Sequence, residues 1–156
     1  MKLQLLCVGR LTLPFLSEGC AEFAGRLKHY LPLSITEIKE HKTGRKPDLP
    51  SIVATEGDNL AQRIPTGAFV IALDQCGKSL RSEQLAELMN DHMVRSIPQW
   101  TLLIGGPYGL SESLRKRADL VLSLSPMTLT HQMARLLLLE QLYRCCTIIR
   151  HEPYHH

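Results

Sequence analysis

Short apolar runs alternate with longer amphipathic segments along this chain. Lys2 to Gly9, Ala68 to Leu73, Trp100 to Ile104 and Leu120 to Leu124 are apolar stretches of strand length. Leu33 to Ile38 sets Leu33, Ile35 and Ile38 among polar residues, the pattern of a half-buried strand. Between these runs, Pro14 to Tyr30 carries Phe15, Leu16, Cys20, Phe23, Ala24 and Leu27 at helical spacing. Ser51 to Ile64 forms a second helix with Ile52, Val53, Leu60 and Ile64 inward. Ser82 is a suitable N-cap for a third, to about Arg95, with Glu83 in its first turn. Ser111 caps a short basic helix to about Ala118, and His131 to Ile149 is the longest helix. Glu40 to Pro50 is polar and contains Gly44, Pro47 and Pro50, so it reads as a basic loop. Asp74 is expected to stop the third strand.

This alternation predicts a single α/β domain with a mostly parallel sheet and helices on both faces. Ligands of such sheets bind beyond the carboxyl ends of the strands. Three ends stand out: Leu73-Asp74, Gly105-Gly106, and Ser123 to Leu129. The last helix has four consecutive leucines, Leu136 to Leu139, which point in every direction around a helix. It therefore needs cover on nearly all sides, and a second subunit supplies it most simply. Glu140 and Arg144, four apart, can pair on the remaining face.

Composition narrows the class. The 156 residues are 44% hydrophobic and 21% charged, enough for one real core. No apolar run reaches membrane-span length, and Met1 to Arg10 reads as a first strand rather than a signal peptide. A cytosolic protein is expected. Five cysteines, Cys7, Cys20, Cys76, Cys145 and Cys146, lack CxxC spacing and read as small buried hydrophobes. The net charge of +3 is modest, but Lys39, Lys42, Arg45 and Lys46 cluster, as do Arg115, Lys116 and Arg117.

The chemistry concentrates in Thr101 to Leu110, TLLIGGPYGL, where a buried strand runs into three glycines and a proline. Glycines after a strand let backbone N–H groups approach a ligand. A dinucleotide fold would need G-x-G-x-x-G near the first strand and an acid about 20 residues on. This chain has G-G-x-x-G on a late strand and no such acid. A P-loop is excluded because no Lys-Ser/Thr follows the last glycine. A tight turn serving only helix–strand packing remains open on the glycines alone.

LLIGGPYGL, then LSLSPMTLTHQMARLLLLEQLYR, then the ending HEPYHH, closely resemble the RlmH family of SPOUT methyltransferases. MKLQLLCVGR matches the family's first strand and FVIALDQCGK its central one, so the resemblance covers nearly the whole chain. It implies a SPOUT fold with a deep C-terminal trefoil knot, an exception to the usual topology rules. It implies S-adenosylmethionine as cofactor, held by Leu73, Gly105, Gly106, Ser125, Pro126, Met127, Thr128, Leu129 and Thr130, with no metal. It implies a homodimer that methylates N3 of a pseudouridine in large-subunit (23S) rRNA of the assembled ribosome.

The resemblance also implies that the tail His151, Pro153, Tyr154 and His155, with Arg144, faces RNA. His155 is the candidate for orienting the base or taking the N3 proton, since its pKa lies near working pH. Tyr154 could stack on the base and Arg144 orient its carbonyls or a phosphate. Family members usually carry Arg or Lys after the Tyr-His pair, where this chain ends in His156. Zinc on His151, His155 and His156 is disfavoured because Pro153 breaks the helix such ligands need. His131 is expected near the cofactor loop. The two basic clusters become candidate phosphate contacts, which position RNA without reading sequence. A SPOUT enzyme acting on tRNA and a noncatalytic assembly factor are the alternatives; cofactor binding separates the second from an enzyme.

Overall fold

The computed structural model describes residues 1–41 and 48–155. Lys42, Arg45 and Lys46 of the expected basic loop lie outside the described residues, as do His156 and the side chain of His155. Five strands, β1 (Lys2–Val8), β2 (Leu33–Ile38), β3 (Phe69–Ser79), β4 (Gln99–Ile104) and β5 (Leu120–Ser123), alternate with helices. The helices are α1 (Pro14–Leu27), α2 (Leu49–Ala61), α3 (Ser82–Val94), α4 (Glu112–Arg117) and α5 (His131–Ile149), and a 3-10 turn follows over Pro153–His155. The sheet order is β2-β1-β4-β3-β5, and every pairing is parallel. Parallel neighbours need crossovers, and the helices provide them. No helix among the described residues is long and apolar enough to cross a membrane.

Alternate residues of each strand enter separate cores, because successive Cβ atoms point to opposite faces. Leu3, Leu5 and Cys7 meet Cys20 and Leu27 of α1, Leu85 and Met89 of α3, and Leu138, Leu139 and Leu142 of α5. Leu6, Val8, Val70 and Leu103 meet Leu60 of α2 and Leu114 of α4 on the other face. From β1 the chain turns outward to β2, and from β4 it leaves the other way, to β5. The gap between β1 and β4 is thus the switch point at which a parallel sheet opens a crevice.

Several expectations are corrected. β3 does not stop at Asp74. It pairs with β5 over Ile71 to Leu73, loses register, and pairs again at Lys78 and Ser79. The extra residues bulge outward, with Asp74 Oδ1 accepting the Cys76 N–H at 2.8 Å. That bulge exposes Cys76, so only the other four cysteines are buried. Burial pushes the Cys7 thiol up to about 12 and that of Cys146 to about 11, which keeps both protonated. Ser82 is not the N-cap of α3. Arg81 occupies that position, its N–H donating to Gln84 Oε1 at 2.9 Å, while Ser82 Oγ donates to Gln141 Oε1 on α5. Ser111 does cap α4, accepting from the Leu114 N–H.

α5 lies between α1 and α3, and its N-terminal half is held by a buried cation. Arg135 is 1% exposed. It donates to Glu37 Oε1 at 2.5 Å and to the Gly9 carbonyl at 2.8 Å, tying α5 to the ends of β2 and β1. Cover is incomplete within one chain: Leu137 of α5 and Leu13 and Phe15 at the start of α1 are exposed.

Arg135→Ala should lower the unfolding free energy by about 3–5 kcal/mol, because it strands a buried carbonyl and a carboxylate. Glu37→Gln should cost less, since the Glu37 side chain is 37% exposed. Urea unfolding of the two variants checks the order.

Candidate active site

A cavity of about 830 Å³ opens at the carboxyl ends of β3, β4 and β5. Leu73, Asp74 and Gln75 form one wall, the segment 104–110 a second, and the loop after β5 a third. His131, Gln132 and Ala134 close it from α5, with Leu13 at the rim. Eight of the nine residues that the family resemblance assigns to the cofactor line this cavity; Pro126 does not.

The glycine loop is shaped by the protein's own atoms. A Cβ on Gly105 would lie 2.4 Å from the carbonyl carbon of Gly109 and 2.5 Å from its oxygen. The loop folds back on itself there, with the Gly109 N–H donating to the Gly106 carbonyl at 3.0 Å and Gly109 at φ +80°. A Cβ on Gly106 would lie 3.0 Å from Glu56 Oε2 and 3.1 Å from Val8 Cγ1. Both glycines thus also clear space for the protein's own atoms, Gly109, Glu56 and Val8, and the tight loop so formed borders the cavity.

The third wall is braced residue by residue. Ser123 Oγ donates to the Ser125 carbonyl, and Ser125 Oγ accepts the Met127 N–H, each at 2.9 Å. Thr128 Oγ1 donates to Gln75 Oε1 at 2.9 Å, bridging to the β3 bulge. Thr130 caps α5, accepting from the Met133 N–H at 3.2 Å. Met127 stands out at 75% exposure. Arg115 reaches across the mouth to Asp74 Oδ2 at 3.1 Å, so this member of the basic cluster is partnered. Lys116 pairs with Glu112. His131 sits in the first turn of α5, as expected, and burial moves its pKa below the usual histidine value. It is neutral at pH 7.

The tail residues lie elsewhere. Arg144 donates through Nε and Nη2 to Glu140 Oε1, at 3.0 and 2.8 Å. The Tyr154 hydroxyl donates to the same oxygen at 3.3 Å, and the Arg144 guanidinium lies 5.0 Å from the Tyr154 ring centre. Tyr154 also packs edge-on against Tyr143 at 4.7 Å. Burial, and then the Glu140 charge, raise the Tyr154 pKa, which keeps the phenol protonated. Glu140 is the hub of this cluster. Its spacing showed the Arg144 pair, but its contact with Tyr154, 14 residues away, left no trace in the sequence. Leu13 and Gln132 were missed too: Gln132 Oε1 accepts the Thr12 N–H at 2.8 Å, stapling the start of α1 to that of α5. The cavity lies at the first turn of α5, while Glu140 and Arg144 lie in its middle and later turns. From His131 to Arg144 the helix rises about 20 Å.

A parallel sheet with an adenosyl-sized cavity at the carboxyl ends of three of its strands is the ligand site expected of an α/β enzyme. The family model described as predicted SPOUT methyltransferase matches residues 1–155. A ribosomal RNA large subunit methyltransferase H of Syntrophotalea carbinolica is 57% identical over 99% of both chains. One of Trichlorobacter lovleyi is 42% identical over the whole of both. A methylase family protein of Neisseria gonorrhoeae shares the fold at 13% identity, with a TM-score of 0.50 over 91% of this chain and 81% of that one. This chain belongs to the RlmH family of SPOUT methyltransferases.

The family's methyl donor, S-adenosylmethionine, fits what the cavity offers. Its volume lies within the usual cofactor range of about 300–1,000 Å³. Leu73, Leu122, Leu124 and Leu129 give apolar wall, and Gln75, Gln132 and the two loops give polar edges.

Gly105→Ala should cost about 1–3 kcal/mol of stability or more and abolish donor binding, because the clash is with backbone. Gly106→Ala should do less, since it meets a side-chain carboxylate and a methyl that can shift. Calorimetric titration with S-adenosylmethionine, beside thermal unfolding, checks both.

Proposed function

We propose that this chain transfers the methyl group of S-adenosylmethionine to N3 of a pseudouridine in large-subunit ribosomal RNA, on the assembled ribosome. The observation that carries the reading is the full-length likeness to methyltransferases named for that RNA, 57% identical over 99% of both chains. The cavity gives the donor a place, and the Glu140–Arg144–Tyr154 cluster gives the acceptor one. Bound in the cavity, the donor supplies a methyl activated by its sulfonium, which leaves as the neutral thioether when the N3–C bond forms. The N3 proton must depart in that step, and His155 is the group on this chain suited to orient the base or accept it. Tyr154, neutral and held by Glu140, offers a face for stacking. Arg144 offers donors for a base carbonyl or a phosphate. Leu73, Gly105, Gly106 and the segment 125–130 hold the donor, within the trefoil knot that belongs to the same reading.

A homodimer follows from the separation along α5. The cavity of one chain borders the first turn of its α5, while its tail packs against Glu140 farther along the helix. A second copy, covering Leu13, Phe15 and Leu137, would bring its tail to the first copy's cavity. The modest net charge of +3 suits a preformed ribosomal surface as substrate better than free RNA.

Labelled methyl should appear on a pseudouridine of ribosomes that lack the modification, and not on tRNA or naked rRNA; mass spectrometry locates it. Label confined to tRNA overturns the substrate. His155→Ala should flatten the pH dependence of the rate, and an unchanged profile removes it as proton acceptor. Gly105→Ala and Tyr154→Ala dimers should each be inactive, but mixed and re-equilibrated they should regain about a quarter of the activity, from heterodimers with one whole site. No recovery would place both half-sites in one chain.

A further inference from the structure

We propose that Glu56 sets the preference of the donor cavity for the cationic methyl donor over its uncharged product. The inference rests on the reading of the Gly105–Gly106 cavity as the donor site.

Glu56 lies on α2 and is 3% exposed. Its Oε1 accepts the His41 N–H at 2.9 Å. Its Oε2 is fully buried and has no hydrogen-bond partner among the described residues. That oxygen is directed at the glycine loop, lying 3.0 Å from where Gly106 would carry a Cβ, and Gly106 itself lines the cavity. One glycine thus stands between a buried carboxylate and the cavity wall.

Among the described residues, the groups facing Glu56 do not neutralise it. Of these, Glu40 and His41, from the connector after β2, are the charged or titratable neighbours that act on it. Glu40 repels and His41 attracts. β1 presents Val8, the loop presents Gly106, and Ser111 packs against the adjacent Gly57. Burial, the larger effect, and Glu40 raise its pKa above the usual carboxylate value, against the His41 N–H and charge. A carboxylate buried with one oxygen unmet is costly. A cation across Gly106 would offset that cost.

The two ligands of a methyltransferase differ in just this respect. S-adenosylmethionine carries a sulfonium, an ammonium and a carboxylate, net +1. S-adenosylhomocysteine lacks the sulfonium and is net neutral. An ionised Glu56 therefore strengthens donor binding and leaves product binding nearly unchanged, which favours exchange of spent product for fresh donor. The sign of the pH dependence follows. Above the raised pKa of Glu56 the carboxylate is charged and the preference is full. As pH falls through that pKa, donor affinity drops while product affinity stays level.

The test is calorimetric titration of the full-length protein with each ligand at several pH values, for wild type and Glu56→Gln, beside thermal unfolding. The donor-to-product affinity ratio should fall about tenfold in Glu56→Gln, the effect of one charge roughly 10 Å away at an effective dielectric of about 20. The loss should lie in the donor, and the fall of the ratio with pH should be smaller than in wild type. A folded Glu56→Gln protein with the wild-type ratio overturns the proposal and leaves the cavity reading intact. Binding of neither ligand by wild type overturns both. Should Glu56→Gln fail to fold, wild type and His131→Gln titrated side by side decide: a ratio that falls with pH in both supports the proposal, and a ratio that is flat in either overturns it.

Discussion

The contact on which the rest depends is the one between Arg135 and the ends of β1 and β2. A guanidinium taken out of water is tolerated only where charge and hydrogen-bond partners offset the loss, and here Glu37 and the Gly9 carbonyl take Nη1 and Nη2, while Nε has no partner among the described residues. The contact fixes where α5 begins relative to the sheet. Thr130 and His131 precede Arg135 by little more than one turn, so the cap of α5 and the loop before it inherit that placement. The same loop is one wall of the cavity. A charge pair remote from the donor thus holds one side of its site, while Gly109 folding onto Gly105 holds the other.

The sheet does the coarse positioning. The carboxyl ends of β3, β4 and β5 open the cavity, and the β3 bulge at 74–77 braces it through Gln75 and Thr128. The cavity is therefore assembled from segments far apart in sequence, each stiffened by its own short hydrogen bonds. Arg115 reaching to Asp74 spans two of them.

Much of the fold was legible because period and length carry it. Five apolar runs became five strands, and the helices differ from expectation by a turn or less at their ends. What the pattern did not carry was anything set by register or by distant partners. The bulge that continues β3 past Asp74 depends on β5. The displacement of Ser82 from its capping role depends on Gln141, 59 residues away. For the site, eight of nine residues implied by the family resemblance share one cavity. The buried Glu56 was invisible, because on sequence alone it is one more acid on a helix. The contact of Gly106 with Glu56 was invisible for the same reason: its neighbour across the loop belongs to α2.

α5 is also a ruler. Its first turn borders the cavity and its last turns carry Arg144 and lead into the tail, with Arg135 pinning one end and the Tyr30–Glu152 hydrogen bond the other. In a two-fold dimer the span between those ends sets how far each tail must reach to its partner's cavity. Inserting or deleting four residues in α5 would shift its two ends by about 6 Å and turn them by about 40° relative to each other. Any such change would also displace Leu138, Leu139 and Leu142, which are fully buried in the core shared with α1 and α3. The length of this helix is thus constrained twice, by the core it fills and by the spacing it sets between cavity and tail.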